Sequence, residues 1–352
     1  MDTQKFTLRE LQPSDSPALV KLITEFGGDM TTHFQVDPYS AIISGTENRT
    51  RGVVVECADY DGLVGMGTVR FSKVQFNDEI LPLAFLDGLK VQKEFRGHGL
   101  GYQIASWRIQ KAREELGDQC VIATGMLHDN HASHAVASKW CREFAESAVD
   151  VRFVPTLTRK PKSLAGVKVR EINPEEYEEF VHKQNTFYRQ YNLYPPSSPN
   201  SISDALGVSV EGKKPYRYFA AVDSHGNLLA GAQTWARGIL KSDTLNNPPL
   251  PLRLLNRVVH LLPSDFIIRD IAVSGIWYES GQMRIGQHLW EIMRWECRDQ
   301  GTILAGSFDS RDPTKDVVTL KPWHQPRPRI TFAIQAPTPL QRDRLLFASG
   351  RV

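Results

Sequence analysis

Residues 86–101 of this chain read LDGLKVQKEFRGHGLG, and this stretch decides the fold. An apolar strand leads through a short loop, which holds three glycines in five residues, into a helix predicted over residues 101–116. The beginning of a helix presents unpaired backbone N–H groups and the positive end of the helix dipole, and glycines let the backbone approach a phosphate closely. The stretch therefore predicts a cradle for a pyrophosphate. A tight strand-to-helix turn without a ligand is the alternative interpretation.

The spacing of this loop excludes two other phosphate-binding patterns. A P-loop ends in Gly-Lys-Ser or Gly-Lys-Thr, whereas Gly101 is followed by Tyr102 and Gln103. The dinucleotide-binding fingerprint requires Gly-x-Gly-x-x-Gly before the helix, and Gly97, Gly99 and Gly101 do not have that spacing.

The loop does fit the pattern Arg/Gln-x-x-Gly-x-Gly/Ala, filled by Arg96, Gly99 and Gly101 after a strand that ends at Val91. In this it resembles motif A of the GCN5-related N-acetyltransferase (GNAT) family. The resemblance extends over most of the first half of the chain. It covers a strand and helix from residue 8, a hairpin around residue 62, a strand at residue 121 and the segment 130–133, which resembles motif B.

The resemblance implies an α/β fold with a mixed sheet that is splayed at its centre and holds acetyl-coenzyme A (acetyl-CoA) in the splay. It implies that backbone groups of Leu89 and Val91 bind the acetyl carbonyl and the pantetheine, and that Asn130 and Ser133 flank the arm of the cofactor. It also implies that the pyrophosphate is bound by backbone amides of Arg96, Gly97, His98, Gly99, Leu100 and Gly101.

Asp87 is the candidate catalytic base. An acceptor amine with a pKa of about 10.4 is protonated at neutral pH, so it must lose a proton, through a base and a water molecule, before it attacks. Period-two alternation predicts that Asp87, Leu89 and Val91 share one face of the strand, which is the face that the cofactor should occupy. The alternative is a carboxylate that pairs with a lysine or arginine at the strand end.

The general acid that is common in the family is missing. Family members often have Leu-Tyr about seven residues after the motif B asparagine, but this chain has Val-Ala-Ser at residues 136–138. Either coenzyme A leaves as a thiolate, or another hydroxyl protonates it, for which the candidates are Ser138, Tyr188 and Tyr191.

The chain repeats one supersecondary plan in the same order and at a nearly constant offset. Residues 8–15 are echoed by 169–176, the hairpin at 53–71 by 218–235, and the helix and strand at 101–124 by 286–306. A polar, basic linker at residues 158–166 separates the copies. We therefore predict tandem GNAT folds, with one domain at residues 1–160 and the other at residues 166–345.

The second copy lacks the phosphate cradle, because Met283 and Arg284 stand where the glycine-rich loop of the first copy stands. We expect a degenerate GNAT-like domain that forms a substrate cleft while the first copy binds acetyl-CoA. An intact copy followed by a degenerate one, with Trp323 and His324 near the end, is similar to HOOKLESS-type acetyltransferase-like proteins and, more loosely, to mycothiol synthases.

Composition indicates a soluble globular protein, with 41% hydrophobic and 23% charged residues in 352. The 42 basic and 40 acidic residues give a net charge of +2, so we expect neither a nucleic acid nor a membrane as partner. The four cysteines are widely spaced, which favours reduced thiols and, together with the lack of a long apolar run, a cytoplasmic protein.

A metal site is not predicted, although His128, His131 and His134 lie three residues apart. The segment coincides with motif B and offers no fourth ligand, whereas zinc sites ordinarily have four.

Two functions remain open at this point. One is an N-acetyltransferase that moves the acetyl group of acetyl-CoA to a primary amine of a small molecule or peptide by direct attack. The other is a non-catalytic acyl-CoA sensor or interaction protein that keeps the cradle and has lost the proton chemistry.

Overall fold

The structure is a computed structural model that describes residues 5–24, 30–44, 49–259, 262–321 and 328–348. The chain contains both strands and helices, and most strands belong to one large mixed sheet with helices on both faces. The α/β mixed-sheet class expected from the sequence is therefore confirmed.

The first part of the chain contains the elements that the sequence predicts. The hairpin around residue 62, the helix after the glycine loop and the helix that begins after residue 130 are all present. In chain order the elements are β1 (Phe6–Glu10), α1 (Ser16–Thr24), β2 (Met30–Phe34), β3 (Arg49–Cys57), β4 (Tyr60–Phe76), β5 (Glu79–Val91), α2 (Leu100–Leu116), β6 (Val121–Leu127), α3 (His131–Ala137) and β7 (Glu143–Pro155).

The second part repeats this order with insertions. Its elements are β8 (Lys168–Glu171), α4 (Tyr177–Phe187), β9 (Tyr191–Asn192), α5 (Pro199–Gly207), β10 (Tyr216–Val222), β11 (Leu228–Trp235), β12 (Lys241–Leu245), α6 (Leu250–Val259), β13 (Ile267–Ile268), β14 (Asp270–Tyr278), α7 (Met283–Glu296), β15 (Ile303–Asp309), β16 (Arg329–Gln335) and β17 (Leu345–Leu346). The helix predicted from residue 286 begins three residues earlier, at Met283.

The two copies begin with the same ion pair, which gives the sequence repeat a physical basis. Arg9 donates to both carboxylate oxygens of Asp15 at 2.8 and 2.7 Å, and Arg170 does the same to Glu176 at 2.6 and 2.5 Å. Each carboxylate also accepts the backbone amide three residues before it, at 2.8 Å. Hydrogen bonding to the arginine lowers the pKa of each carboxyl group, so both pairs are charged at neutral pH.

The large sheet has twelve strands in the order β1-β3-β4-β5-β6-β16-β7-β15-β14-β11-β10-β8. Two strands exchange places across its centre. β16, from the end of the chain, pairs with β6 of the first copy, while β7, from the first copy, pairs with β15 of the second. The two exchanged strands pair with each other. The division at residues 160–166 stays a prediction, but each half of the sheet contains a strand from the other side of it.

Helices cover the first half of the sheet on opposite faces. On one face, Leu19 and Leu22 of α1 pack in a cluster with Met66 of β4. On the other face α2 lies so close to β4 that a Cβ atom placed on Gly67 would be 2.7 Å from Cγ2 of Ile104. The glycine therefore permits the close approach of helix and strand.

One apolar cluster spans the exchange of strands. Val121 of β6, Val149 of β7 and Phe332 of β16 are buried together in it. Because these strands come from both ends of the chain, the core between the two halves forms only when both ends are present.

We predict that a chain ending at residue 160 does not fold into a stable unit. It would keep β7 but lose both of its partner strands, and β6 would lose β16. Exposed strand edges of this kind favour aggregation. Circular dichroism during a urea titration should show no cooperative transition, and co-expression with residues 161–352 should restore a soluble complex. A monomeric 1–160 fragment with a cooperative transition would contradict the prediction.

Candidate functional site

The site begins where two parallel strands separate. β5 and β6 pair at only three positions, Leu83 with Val121, Ala84 with Ile122 and Phe85 with Ala123. Immediately beyond, the hydroxyl of Thr124 donates to the carbonyl of Leu86 at 2.7 Å and bridges the widening gap.

A cavity of about 400 Å³ fills this gap. Its wall contains β5 residues on one side, β6 residues on the other, and residues of α2, α3 and β16. The lining residues are Leu86, Asp87, Gly88, Leu89, Lys90, Arg108, Thr124, Gly125, Met126, Leu127, Asn130, Ser133, Val136, Ala137, Trp140 and Ile330.

A β-bulge at Gly88 overturns the predicted alternation along β5. Gly88 has a φ of +63°, and the pairing with β4 slips there, so that Thr68 lies opposite Asp87 while Met66 lies opposite Lys90. A bulge places two residues opposite one and shifts the alternation of side chains. The prediction that Asp87 and Val91 share a face is therefore wrong, and Asp87 shares its face with Lys90 instead.

The carboxylate of Asp87 lies at the cavity but already has two partners. One oxygen accepts the backbone amide of Gly88 at 2.7 Å, and the other forms an ion pair with Arg70 at 3.0 Å. Arg70 is only 8% exposed, and its guanidinium lies over the ring of Phe85, 5.3 Å from the centroid. The pairing with an arginine that the sequence offered as the alternative is present.

Arg108 is a residue of the site that the sequence analysis missed. It extends from α2, is 3% exposed, and donates to the carbonyls of Ile104, Thr68 and Asp87 at 3.3, 3.2 and 3.0 Å. Burial lowers the pKa of its guanidinium to about 10, so it remains charged at neutral pH. Its contact with the Asp87 carbonyl supports the backbone of the bulge from the face opposite the Asp87 side chain.

The burial of Arg108 could have been predicted from its spacing relative to the apolar residues of α2. Arg108 lies four residues after Ile104 and four before Ala112, so it stands on the buried stripe of α2.

The glycine loop follows β5 and lies beyond the cavity wall. Gly97 and Gly99 have φ values of +84° and +78°, conformations that side chains rarely adopt. Hydrogen bonding in α2 begins with the amides of Tyr102 and Gln103, which both donate to the Gly99 carbonyl at 3.1 Å. Amides that precede them belong to the open end of the helix.

Two side chains of this loop contact the protein itself. Arg96 donates through Nε to the Val91 carbonyl at 3.3 Å, and a ring nitrogen of His98 lies 3.2 Å from the Phe95 carbonyl. Leu100 is buried in the core.

The motif B segment begins a short helix at the opposite side of the cavity. Asn130 caps α3, its side-chain oxygen accepting the amide of Ser133 at 3.1 Å. A Cβ atom on Gly101 would lie 3.1 Å from Cγ2 of Val136, so the third loop glycine allows α2 and α3 to approach each other.

The structure thus brings Asp87, Leu89, Asn130 and Ser133 to one cavity. Val91 packs in an apolar cluster. Neither it nor residues 96–101 line the cavity wall.

The second half contains the same splay, but its side chains fill it. Gly275 of β14 has a φ of +60° at a slip in the pairing with β11, as Gly88 has in β5. Gln184 donates to the Gly275 carbonyl at 3.0 Å, and the hydroxyl of Tyr188 donates to the Ile276 carbonyl. The space left beside Tyr188 and Tyr191, between β14 and β15, is about 20 Å³, which is too small for a cofactor arm. The second copy is degenerate in the sense that its own side chains fill the splay.

These contacts also locate the tyrosines that were considered as general acids. Tyr188 and Tyr191 line the second splay rather than the open cavity, and Tyr191 donates to Asp312 at 2.8 Å. Burial raises the pKa of both hydroxyls. Their assignment as acids at the first site is therefore wrong. Ser138 is exposed and donates to the Ala135 carbonyl at 3.1 Å.

A second cavity, of about 320 Å³, lies between the halves. It is lined by Arg70, Phe85 and Phe332 next to the first site and by Gln233 and Ser274 of the second half, with the segment 193–197 as a wall. Arg70 contacts both Asp87, which lines the first cavity, and Phe85, which lines the second, so the two cavities are neighbours.

The histidines of motif B have separate partners. His128 lies 3.1 Å from the hydroxyl of Thr331, and His134 stacks on Phe144. No group of three or more metal-binding side chains converges anywhere in the described part of the chain. Trp323 and His324 lie outside the described residues.

Among the same residues, no helix is long and apolar enough to cross a membrane. The cytoplasmic location stays a prediction. All four cysteines are free thiols, three of them buried.

We predict that Arg108→Met destabilises the protein by about 1–3 kcal/mol, because the carbonyls of Thr68 and Asp87 lose a charged donor and the Asp87 carbonyl keeps only the Thr68 hydroxyl, at 3.2 Å. Arg113→Met is the matched control on the same helix, since Arg113 is exposed and its contact with Asp118 is 3.9 Å long. Urea denaturation measures both. Equal effects of the two substitutions would contradict a role of Arg108 in supporting the bulge.

Comparison with known proteins agrees with this architecture. Residues 19–141 match the family model described as the acetyltransferase (GNAT) family. No curated protein sequence shows significant similarity to the chain.

Solved structures show similarity over nearly the whole chain. N-myristoyltransferase from Saccharomyces cerevisiae, solved with bound myristoyl-CoA, is 10% identical with a TM-score of 0.62, covering 97% of this chain and 86% of its own. A GCN5-related N-acetyltransferase from Sphaerobacter thermophilus is 13% identical with a TM-score of 0.55, covering 94% and 95%. At these identities the likeness concerns the fold, and the similarity to HOOKLESS-type proteins and mycothiol synthases stays a prediction. Residues 19–141 thus match the GNAT acetyltransferase family, and the whole chain has a tandem GNAT-like fold.

Proposed function

We propose that this protein is an N-acetyltransferase that moves the acetyl group of acetyl-CoA to a primary amine of a small molecule or peptide. The observation that carries the proposal is the open cavity at the bulge of β5, which the matching splay of the second half lacks. The GNAT family match over residues 19–141 supports coenzyme A as the carrier.

The backbone at the cavity suits a thioester. Gly88 and Leu89 line it where β5 no longer pairs with β6, so the edge of β5 is open to a ligand. A backbone amide directed at the thioester oxygen would stabilise the oxyanion that forms when an amine attacks. In other acyl-transfer sites one such donor contributes about 2.7–4 kcal/mol.

The glycine loop is the proposed phosphate site. Backbone amides of Arg96, Gly97, His98, Gly99, Leu100 and Gly101 would hold the pyrophosphate, supported by the open end of α2 and its dipole. Asn130 and Ser133 would flank the arm from α3, and Val91 would contribute backbone groups beyond Leu89.

The acceptor would enter through the cavity between the halves, which adjoins Asp87 through Arg70. Holding the amine in line with the thioester supplies much of the rate, since orientation of two reactants is worth about 7–11 kcal/mol. The amine attacks the thioester carbonyl directly, coenzyme A leaves, and no acyl-enzyme is part of this reaction.

Asp87 is the proposed base. Its carboxylate lies at the cavity and is held in one orientation by Gly88 and Arg70. A carboxylate that is held in this way can accept the proton of the acceptor ammonium through a water molecule.

A second function is favoured by the lack of an acid for the leaving thiolate. Val136 and Ala137 line the cavity in the region where the family often has Leu-Tyr, and the Ser138 hydroxyl is bonded to a carbonyl. These facts favour an acyl-CoA sensor. Coenzyme A release with a panel of small amines, polyamines and peptides separates the two functions, because a sensor binds acetyl-CoA and releases no thiol in response to any amine.

For the phosphate site we predict that Gly99→Val lowers affinity for coenzyme A by at least about tenfold. The substitution adds a side chain and backbone strain to the loop. Gly117→Val is the matched control, because Gly117 ends the same helix with a φ of +79°, against +78° at Gly99. A Cβ atom would meet nothing within 4 Å at Gly117 and only the end of the Gln103 side chain, at 3.9 Å, at Gly99. Titration calorimetry measures both variants. Equal affinities would remove the loop from the proposed site.

For the base we predict that Asp87→Asn lowers turnover by about 10²–10⁴ at pH 7 while affinity for coenzyme A changes little. The assay is thiol release with an amine that the wild-type protein acetylates. Asp61→Asn, at the exposed start of β4, is the control for loss of a carboxylate. Turnover of Asp87→Asn at the wild-type level would exclude Asp87 as the base.

A further inference from the structure

Lys90 is a cavity residue to which the mechanism above gives no role. It follows the bulge by two positions, lines the same cavity as Gly88 and Leu89, and lies opposite Met66 on the face of β5 that carries the Asp87 carboxylate. If the thioester carbonyl lies at the bulge, as the proposed function requires, a long and flexible amine stands next to it.

The second half of the chain contributes the surroundings of this amine. β12 pairs with β2 of the first half and brings Lys241 and Asp243 toward Lys90. Asp243 also accepts a hydrogen bond from Thr32 at 2.6 Å, which holds its carboxylate on the small sheet.

These surroundings favour the neutral form of the amine. Burial and the positive charge of Lys241 lower the pKa of Lys90 to about 8, although the negative charges of Asp243 and Asp87 act in the opposite direction. Relative to an ordinary lysine, with a pKa of about 10.4, the neutral and nucleophilic fraction at pH 7.5 is larger by roughly two orders of magnitude.

We propose that Lys90 is a self-acylation site, at which the protein accepts the acyl group of its own bound acyl-CoA. The proposal rests on the proposed function only in that acyl-CoA must occupy the cavity.

The step is an ordinary aminolysis. The lone pair of Lys90 Nζ attacks the thioester carbonyl, a C–N bond forms and the C–S bond breaks. Nitrogen loses a proton to solvent, the sulfur takes up one, and the products are an amide on Lys90 and free coenzyme A. The amide is stable, so the modification accumulates rather than turning over, and it removes the positive charge of Lys90 from the cavity.

Intact-mass and peptide mass spectrometry of the purified full-length protein after incubation with acetyl-CoA tests the proposal. We expect one acetyl group, 42 Da by the chemistry of the step, to appear first on Lys90 and to be lost in Lys90→Arg, which keeps the charge and removes the nucleophile. Lys93→Arg is the matched control, because Lys93 is exposed three residues further along and should leave the modification unchanged.

The pH dependence separates this site from random acetylation of surface lysines. Since only the neutral amine reacts, the rate at Lys90 should rise with pH and level off above about pH 8, whereas an ordinary lysine continues to gain reactivity toward pH 10. Lys241→Gln removes a neighbouring positive charge, which raises the pKa of Lys90. It should therefore slow the modification at pH 7.5 and shift the profile upward.

Coenzyme A affinity, measured by calorimetry on the same samples, distinguishes the two proposals. Binding of coenzyme A without preferential acetylation of Lys90, or a modification that persists in Lys90→Arg, would overturn the self-acylation site alone. Loss of both binding and modification would overturn the proposed function as well.

Discussion

The structure depends on a parallel strand pair that stops after three positions. β5 and β6 are joined through residues 83–85 and 121–123, and then the bulge at Gly88 turns β5 away. The separation creates the cavity and leaves the backbone of Gly88 and Leu89 exposed to it. The same bulge directs Asp87 and Lys90 to one face, while Arg108 supports the backbone from the other.

The two halves share one backbone arrangement, and their side chains determine whether the splay between the parallel strands is open or filled. Both have a glycine bulge at positive φ beside a parallel pair that splays. In the second half Gln184 of α4 and Tyr188, which directly follows that helix, donate to the carbonyls at the bulge and occupy the splay. Buried carbonyls need donors, so a splay without a ligand is stabilised when the protein supplies its own. The open and closed versions lie in one sheet, joined by the exchange of β7 and β16.

Much of the first half followed from local patterns. The glycine loop, the hairpin around Gly62 and the cap at Asn130 each depend on residues that are close in sequence, and the structure contains all three. What the patterns did not reveal were the identity of Arg70 as the partner of Asp87 and the burial of Arg108. Both depend on contacts between separate elements. A single charged residue on the apolar face of a helix does not indicate which residue of another element it contacts.

The sequence alone was sufficient for the resemblance to the GNAT family, the strand-loop-helix of residues 86–101 and the existence of two similar copies, because those features are encoded in short-range spacing. The tertiary structure alone decided which strands exchange between the copies, which of the two splays stays open, and which side chains of β5 meet there. The last point shows the reason most clearly. Inserting one residue at the bulge reverses the face of every side chain beyond it, and whether the strand bulges is settled by its pairing with β4 rather than by its own alternation.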